Sequence, residues 1–134
     1  LIVISLTPDS ETSMIDPRIF SICKQISESL DHEWTVAEMA SQFDLSVPHF
    51  QKLFKQETGT PPMTWLHRRR LDVFAEQLLS TYDTIKSIAF RTGLSNEGHL
   101  TEDFKRSFGF TPTGYRKHHA EIEQKDRRRP DKNR

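Results

Sequence analysis

Apolar residues recur along most of the chain at intervals of three and four, in runs separated by polar, proline-containing or glycine-containing breaks. Ile19, Ile22, Ile26 and Leu30 form the first stripe, the spacing of one helix face. Asp16-Pro17 precedes it as an N-cap and a first-turn proline. Asp31-His32-Glu33 then breaks the period. Trp34-Thr35 opens a short helix, with Thr35 capping, Glu38 placed for a capping box, and Val36, Met39 and Ala40 inward. The turn Phe43-Asp44-Leu45-Ser46 leads to a helix over 46–58. The longest run, 61–80, predicts a helix of about 20 residues and so about 30 Å. Trp65, Leu66, Leu71, Ala75, Leu78 and Leu79 supply its apolar contacts. Thr84 caps another short helix that turns Ile85, Ile88 and Ala89 inward and ends at Gly93. A helix over 96–108 and a short helix from Thr111 complete the pattern. From Lys117 the polar, charge-mixed sequence reads as a helix end fraying into disorder over 118–134. Every predicted element is a helix.

The pattern occurs twice. Shifting Ser46–Pro62 by fifty positions brings Phe50 over Leu100, Phe54 over Phe104, Lys55 over Lys105, Gly59 over Gly109 and Pro62 over Pro112. Trp65 then lies over Tyr115. Ser46 and Asn96 are suitable N-caps. Gly59 and Gly109 suit the left-handed residue that ends a helix. Upstream, 36–46 matches 85–95 with an offset of 49, so the second turn carries one extra residue. Each half is a short helix, a tight turn and a capped helix, which is helix-turn-helix geometry.

Composition sharpens this picture. At 134 residues the chain is one domain, or two very small units sharing a core. Only 34% of residues are hydrophobic, so the apolar positions must be well placed to bury enough surface. Lys+Arg and Asp+Glu both number 19, so net charge does not point to a polyanion, and charge location has to. The single Cys23 cannot form an internal disulfide, which makes a reducing cytoplasm the expected compartment. No apolar run approaches the roughly 18 residues of a membrane span. LIVISL lacks a basic flank and is too short for a signal peptide. With Leu1 first, residues 1–15 read as a linker or the remnant of an upstream domain.

In a DNA-reading helix-turn-helix, the second helix enters the major groove. Helix 46–58 divides as that task requires. Phe50, Leu53, Phe54 and Glu57 share one side, and Pro48, Gln51, Lys52 and Lys55 the other. Gln can pair bidentately with adenine, and Lys can donate to guanine. Lys55 and the run Arg68-Arg69-Arg70 are placed to neutralise phosphates. From 46 to 70 there are five basic residues and one acid, Glu57. Helix 96–106 has two basic residues against Glu97, Glu102 and Asp103. Two such heads on a rod of about 30 Å match successive major grooves about 34 Å apart.

The second half carries Ile88-Ala89, Gly93, Leu100, Phe104-Lys105, Gly109, Thr111-Pro112 and Tyr115-Arg116. In these residues the chain resembles the DNA-binding domain of the AraC/XylS family of bacterial transcription regulators, over about residues 16 to 117. The resemblance implies an all-α fold of about seven helices. In it, two homeodomain-like helix-turn-helix subdomains, 16–60 and 81–117, flank a linker helix, 61–80. It also implies sequence-specific binding of double-stranded DNA, cytoplasmic transcription control, and a separate sensing or dimerisation domain upstream. By position, base readout falls to Pro48, Gln51 and Lys52, and to Glu97, Gly98 and Glu102. Phosphate contacts fall to Ser46, His49, Lys55 and Arg69, and to Asn96, Thr101 and Lys105. Family domains are usually basic, whereas this chain is near neutral and has Glu102 where the family is often polar or basic.

A second class of function is a helical protein-interaction module, with helix 96–108 docking a protein such as RNA polymerase. An enzyme is not expected, since the sequence has no glycine-rich phosphate loop, paired catalytic constellation or metal spacing. His118-His119 lacks further ligands, so neither a metal nor a cofactor is expected.

Overall fold

A computed structural model describes residues 15–95 and 98–128 of the chain. Residues 1–14, Asn96, Glu97 and the tail from 129 lie outside it, and with them the readings of LIVISL, most of the upstream linker, the Asn96 cap and the Glu97 base contact. The described residues form seven α-helices: α1 (Pro17–Glu28), α2 (Val36–Ser41), α3 (Val47–Thr58), α4 (Pro62–Ser80), α5 (Ile85–Arg91), α6 (Leu100–Phe108) and α7 (Pro112–Arg128).

Two hydrophobic cores lie along α4. The first gathers Ile19, Ile22, Ile26 and Leu30 with Trp34, Met39, Ala40, Phe50, Phe54 and Leu66. Ile15, the first described residue, packs against it. The second joins Leu71, Phe74, Ala75 and Leu78 of α4 to Ile88, Ala89, Leu94 and Phe104. Phe54 and Phe104 are both fully buried, each with an aromatic neighbour from the following helix. Trp65 lies 6.0 Å from Phe54, and Tyr115 lies 5.2 Å from Phe104, both edge-on. Phe74 adds an edge contact to Phe104 at 5.5 Å. Such pairs contribute about 0.5–1.5 kcal/mol beyond the area they bury.

The duplication extends to single backbone bonds. Leu45 N donates to Ala40 O, and Leu94 N donates to Ala89 O. Gly59 N donates to Lys55 O, and Gly109 N to Lys105 O, both at 2.8 Å. Both glycines are left-handed, with φ of 87° and 84°. The two tight turns need a left-handed residue at the same place, Asp44 (φ 55°) in the first and Gly93 (φ 81°) in the second. Asp is among the few side chains that visit this conformation. At Gly93 a side chain is also excluded sterically, because an added Cβ would lie 2.7 Å from Arg70 Nε and would strike the Leu30 carbonyl.

The helix starts follow the sequence with two differences. Asp16 caps α1 and Ser46 caps α3 through the His49 N–H at 3.2 Å. The Asp16 carboxyl is held below its ordinary value by the side-chain hydrogen bonds that Arg18 donates to it. Thr35 caps α2, but the Glu38 carboxylate meets His32 Nε2 at 2.8 Å instead of closing the capping box. The helix expected over 96–108 does not run from 96: α6 begins at Leu100, with Gly98 and His99 in a turn before it. Glycine favours that turn over a helix interior. At the other end, α7 runs to Arg128 where the sequence reads as fraying from Lys117. A Glu123–Arg127 pair at i,i+4 and the basic last turn support this extension. Leu79, expected inward, is 46% exposed.

Cys23 is half-buried against the first core, and burial pushes its thiol up to about 12. It acts as a small apolar side chain. Truncating Phe54 or Phe104 to Ala is expected to lower unfolding free energy by about 3–5 kcal/mol each. Urea denaturation followed by circular dichroism measures this, and similar losses at both positions are expected from their equivalence.

Candidate nucleic-acid interface

Burial of Phe50 and Phe54 fixes how α3 is rotated. Its opposite side therefore presents Pro48, His49, Gln51, Lys52 and Lys55, all exposed. Gln51, Lys52 and Lys55 have no hydrogen-bond or ion-pair partner among the described residues. Ser46 is also exposed, but its hydroxyl already accepts from the helix. The first turn of α3 contains no acid. Glu57 points away from this face and accepts a 2.8 Å hydrogen bond from the Asp16 N–H, tying the end of α3 to the start of α1.

The equivalent face of α6 is built differently. Phe104 is its buried anchor, and Thr101, Glu102 and Lys105 are exposed. Glu102 and Asp103 both lie in the first turn, and His99 caps the helix without a side-chain bond. His99 Nδ1 stands 3.6 Å from Glu102. Asp103 turns aside, 3.3 Å from His67 of α4 and 3.0 Å from Arg106. Gly98 is exposed, but it belongs to the preceding turn and not to the reading helix. The structure thus gathers Thr101, Glu102 and Lys105 on one face and leaves Gly98 beside it.

The run Arg68-Arg69-Arg70 separates. Arg68 is exposed. Arg69 is half-buried and donates from Nε to Ser27 Oγ of α1 at 3.3 Å. Arg70 donates from Nε to Leu30 O and from Nη2 to His32 O, both at 2.9 Å. Arg70 is therefore a brace between α4 and the loop after α1, not the phosphate contact that the charge run suggests. Arg116, read in the sequence only as part of a motif, has the matching task in the second half. It donates to Leu78 O at 2.8 Å and Thr81 O at 3.3 Å, capping the end of α4. Glu57, Arg69 and Arg70 are thus engaged internally, though the bonds of the two arginines to neutral oxygens leave their charge in place.

Among the described residues no group of His, Cys, Asp and Glu is arranged to hold a metal. No described helix is long and apolar enough to cross a membrane.

A family model described as a helix-turn-helix domain matches residues 39–118, more than half of the chain. The transcriptional activator RclR of Escherichia coli, described as RCS-specific, is 32% identical over 103 residues, which are 77% of this chain and 36% of that protein. The transcriptional regulator ExsA of Pseudomonas aeruginosa is 31% identical over 96 residues, 71% of this chain and 34% of its own. The chain thus spans about a third of the length of these relatives. Among solved structures, the C-terminal domain of AraT, a response regulator from Geobacillus stearothermophilus, superposes with a TM-score of 0.71 at 27% identity. That match covers 78% of this chain and 88% of AraT's domain. The DNA-binding domain of AdpA, solved in complex with a target DNA, shares the fold with a TM-score of 0.70 at 24% identity, over 75% of this chain and 91% of that one. A Streptomyces antibioticus protein described as an AraC-like transcription regulator is 34% identical over 105 residues, 78% of this chain and 35% of that protein. By the matched helix-turn-helix residues and this likeness, the chain belongs to the AraC/XylS family of DNA-binding transcription regulators.

Proposed function

We propose that this chain binds double-stranded DNA sequence-specifically, with α3 and α6 in successive major grooves, and so regulates bacterial transcription. One observation carries the reading. An exposed polar face without internal partners on α3 stands opposite a fully buried aromatic anchor, and the same anchored arrangement recurs on α6 at the other end of α4. A 19-residue helix is about 28 Å long, close to the pitch that separates neighbouring grooves. The AdpA domain, of like fold, was solved on DNA, which supports the same use here.

In this reading Gln51 and Lys52 address base edges, with Pro48 holding the start of α3 against the groove floor. Glu102 and Gly98 are the second unit's candidates for base contact. Ser46, His49, Lys55, Thr101 and Lys105 flank them as phosphate contacts, and Arg69 contributes through its outer nitrogens only. Cytosine N4 is the donor that Glu102 could accept from. The site acts at the surface of a bound duplex and calls for no cofactor. An upstream sensing or dimerisation domain and a contact to RNA polymerase extend this proposal, since the chain spans about a third of the length of its relatives. A second reading is favoured by the acidic first turn of α6: the second unit meets a protein instead of DNA.

Selection of bound sequences from random duplex DNA at two salt concentrations tests the whole reading. Gln51→Ala and Lys52→Ala are each expected to relax preference in one half of the selected site by about 1–3 kcal/mol. Lys55→Ala is expected to weaken all sequences alike and to reduce the log–log salt slope by about one. Uniform loss from Lys52→Ala would demote it to a phosphate contact.

The second unit has its own test. Glu102→Arg removes a carboxylate from the α6 face and adds a cation there. It is expected to tighten non-specific binding and steepen the salt slope by about one unit. Titration of labelled duplex between low and moderate salt measures both. An unchanged affinity and slope would assign the α6 face to a protein partner.

A further inference from the structure

We propose that Arg70 is a positioning residue that sets the spacing between the two reading helices, and so determines how far apart two half-sites must lie. The proposal rests on the two-groove reading above and adds the element that fixes its geometry.

Arg70 sits where α4 passes from one core to the other, between Leu66 in the first and Leu71 in the second. Three segments meet there. The first is the loop after α1, whose Leu30 and His32 carbonyls both accept from Arg70 at 2.9 Å. That loop is braced internally, with Trp34 Nε1 donating to Ser29 O at 2.9 Å and the indole buried. The second is α4 itself. The third is the tight turn of the second unit, where Gly93 stands so close that an added Cβ would lie 2.7 Å from Arg70 Nε and 2.9 Å from its Cζ. The Leu30 carbonyl that Arg70 holds is also the atom that such a Cβ would strike.

Leu66 and Trp65 of α4 seat the first unit on the rod, and the Arg70 fork removes its remaining angular freedom relative to the second unit. A planar guanidinium can donate to two acceptors at once in a set geometry, and an ammonium on a flexible stem cannot reproduce this. Because Gly93 lies against the same guanidinium and the same carbonyl, the first unit, the rod and the second unit are keyed at one point. The two bonds of the Arg70 fork go to the loop after α1, and the buried anchors Phe54 of α3 and Phe104 of α6 pack without it. What changes on release of this key is the relation between the reading helices.

The test uses the 134-residue chain and a duplex selected by the wild-type protein from random DNA. Companion duplexes carry one or two base pairs inserted between the half-sites, or the first half-site alone. A one-base-pair insertion is expected to weaken wild-type binding by about tenfold, comparable to losing one good base contact. Arg70→Gln is expected to bind the isolated half-site like the wild type, yet to show native and inserted duplexes within about twofold of each other. Arg70→Lys, which keeps the charge and stem, is expected to fall between. Loss of folded protein lowers apparent affinity for every duplex by one factor and leaves these ratios unchanged, so destabilisation cannot imitate the result. A wild-type ratio retained in Arg70→Gln overturns the proposal. A wild type indifferent to the insertion instead overturns the two-groove reading and this proposal with it.

Discussion

One helix serves two cores, and the rest of the structure depends on it. α4 gives Leu66 to the first core and Leu71, Phe74, Ala75 and Leu78 to the second. Between Met63 and Ser80 it contains neither glycine nor proline, so nothing in its interior favours a kink. The first unit uses the beginning of α4 as its closing helix. The second uses its later turns as the opening helix, the place that α1 holds in the first. The two arginines follow from this sharing. Arg70 reaches from α4 back to the loop after α1, and Arg116 reaches from α7 back to the end of α4. Each unit is thus closed by an arginine from its last helix that satisfies carbonyls at or just beyond the end of its first. Such a carbonyl, left buried without a partner, costs about 1–3 kcal/mol.

Much of this was legible because the chain states it twice. Phe54 with Phe104, Gly59 with Gly109, and Ala40 with Ala89 can be matched by register alone, and each pair has the same environment in the structure. The exposed face of α3 was legible for the same reason: once Phe50 and Phe54 are assigned inward, the period places Gln51, Lys52 and Lys55 outside. What was not legible shares a cause. The acceptors of Arg70 and Arg116 are backbone carbonyls some 35–40 positions away, and a carbonyl carries no residue signature. Glu57 likewise bonds a backbone N–H 41 positions away. A charge run can be counted in a sequence, but which of its members faces outward depends on these long-range partners. Phe74 was missed although it completes the spacing of Leu71 and Leu78, and it proves to be the α4 ring against Phe104.

The start of α6 was misread for a local reason. Asn96 is a good cap in isolation, but Gly98 two residues later makes a helix there unfavourable relative to a turn. The helix begins four residues later than the repeat predicts, without a side-chain cap. His99 supplies no side-chain cap, and the N–H groups of such a helix start favour negative charge in the first turn.

That requirement explains the charge pattern that makes the second unit unusual. α6 carries Glu102 and Asp103 in its first turn and Lys105 and Arg106 in its last, an order aligned with the helix dipole from end to end. α3 needs no such arrangement: Ser46 caps it, Pro48 lies in its first turn, and no acid is present there. α3 and α6 therefore solve one folding problem in opposite ways. A neutral cap leaves the first turn of α3 without an acid at the end that would meet phosphates in the proposed function. Acidic stabilisation of α6 puts carboxylates there instead. Asp103 is drawn aside by His67 and Arg106, which leaves Glu102 as the exposed remainder. Among the described residues, the carboxylate that α6 would bring to a polyanion in the proposed function is Glu102.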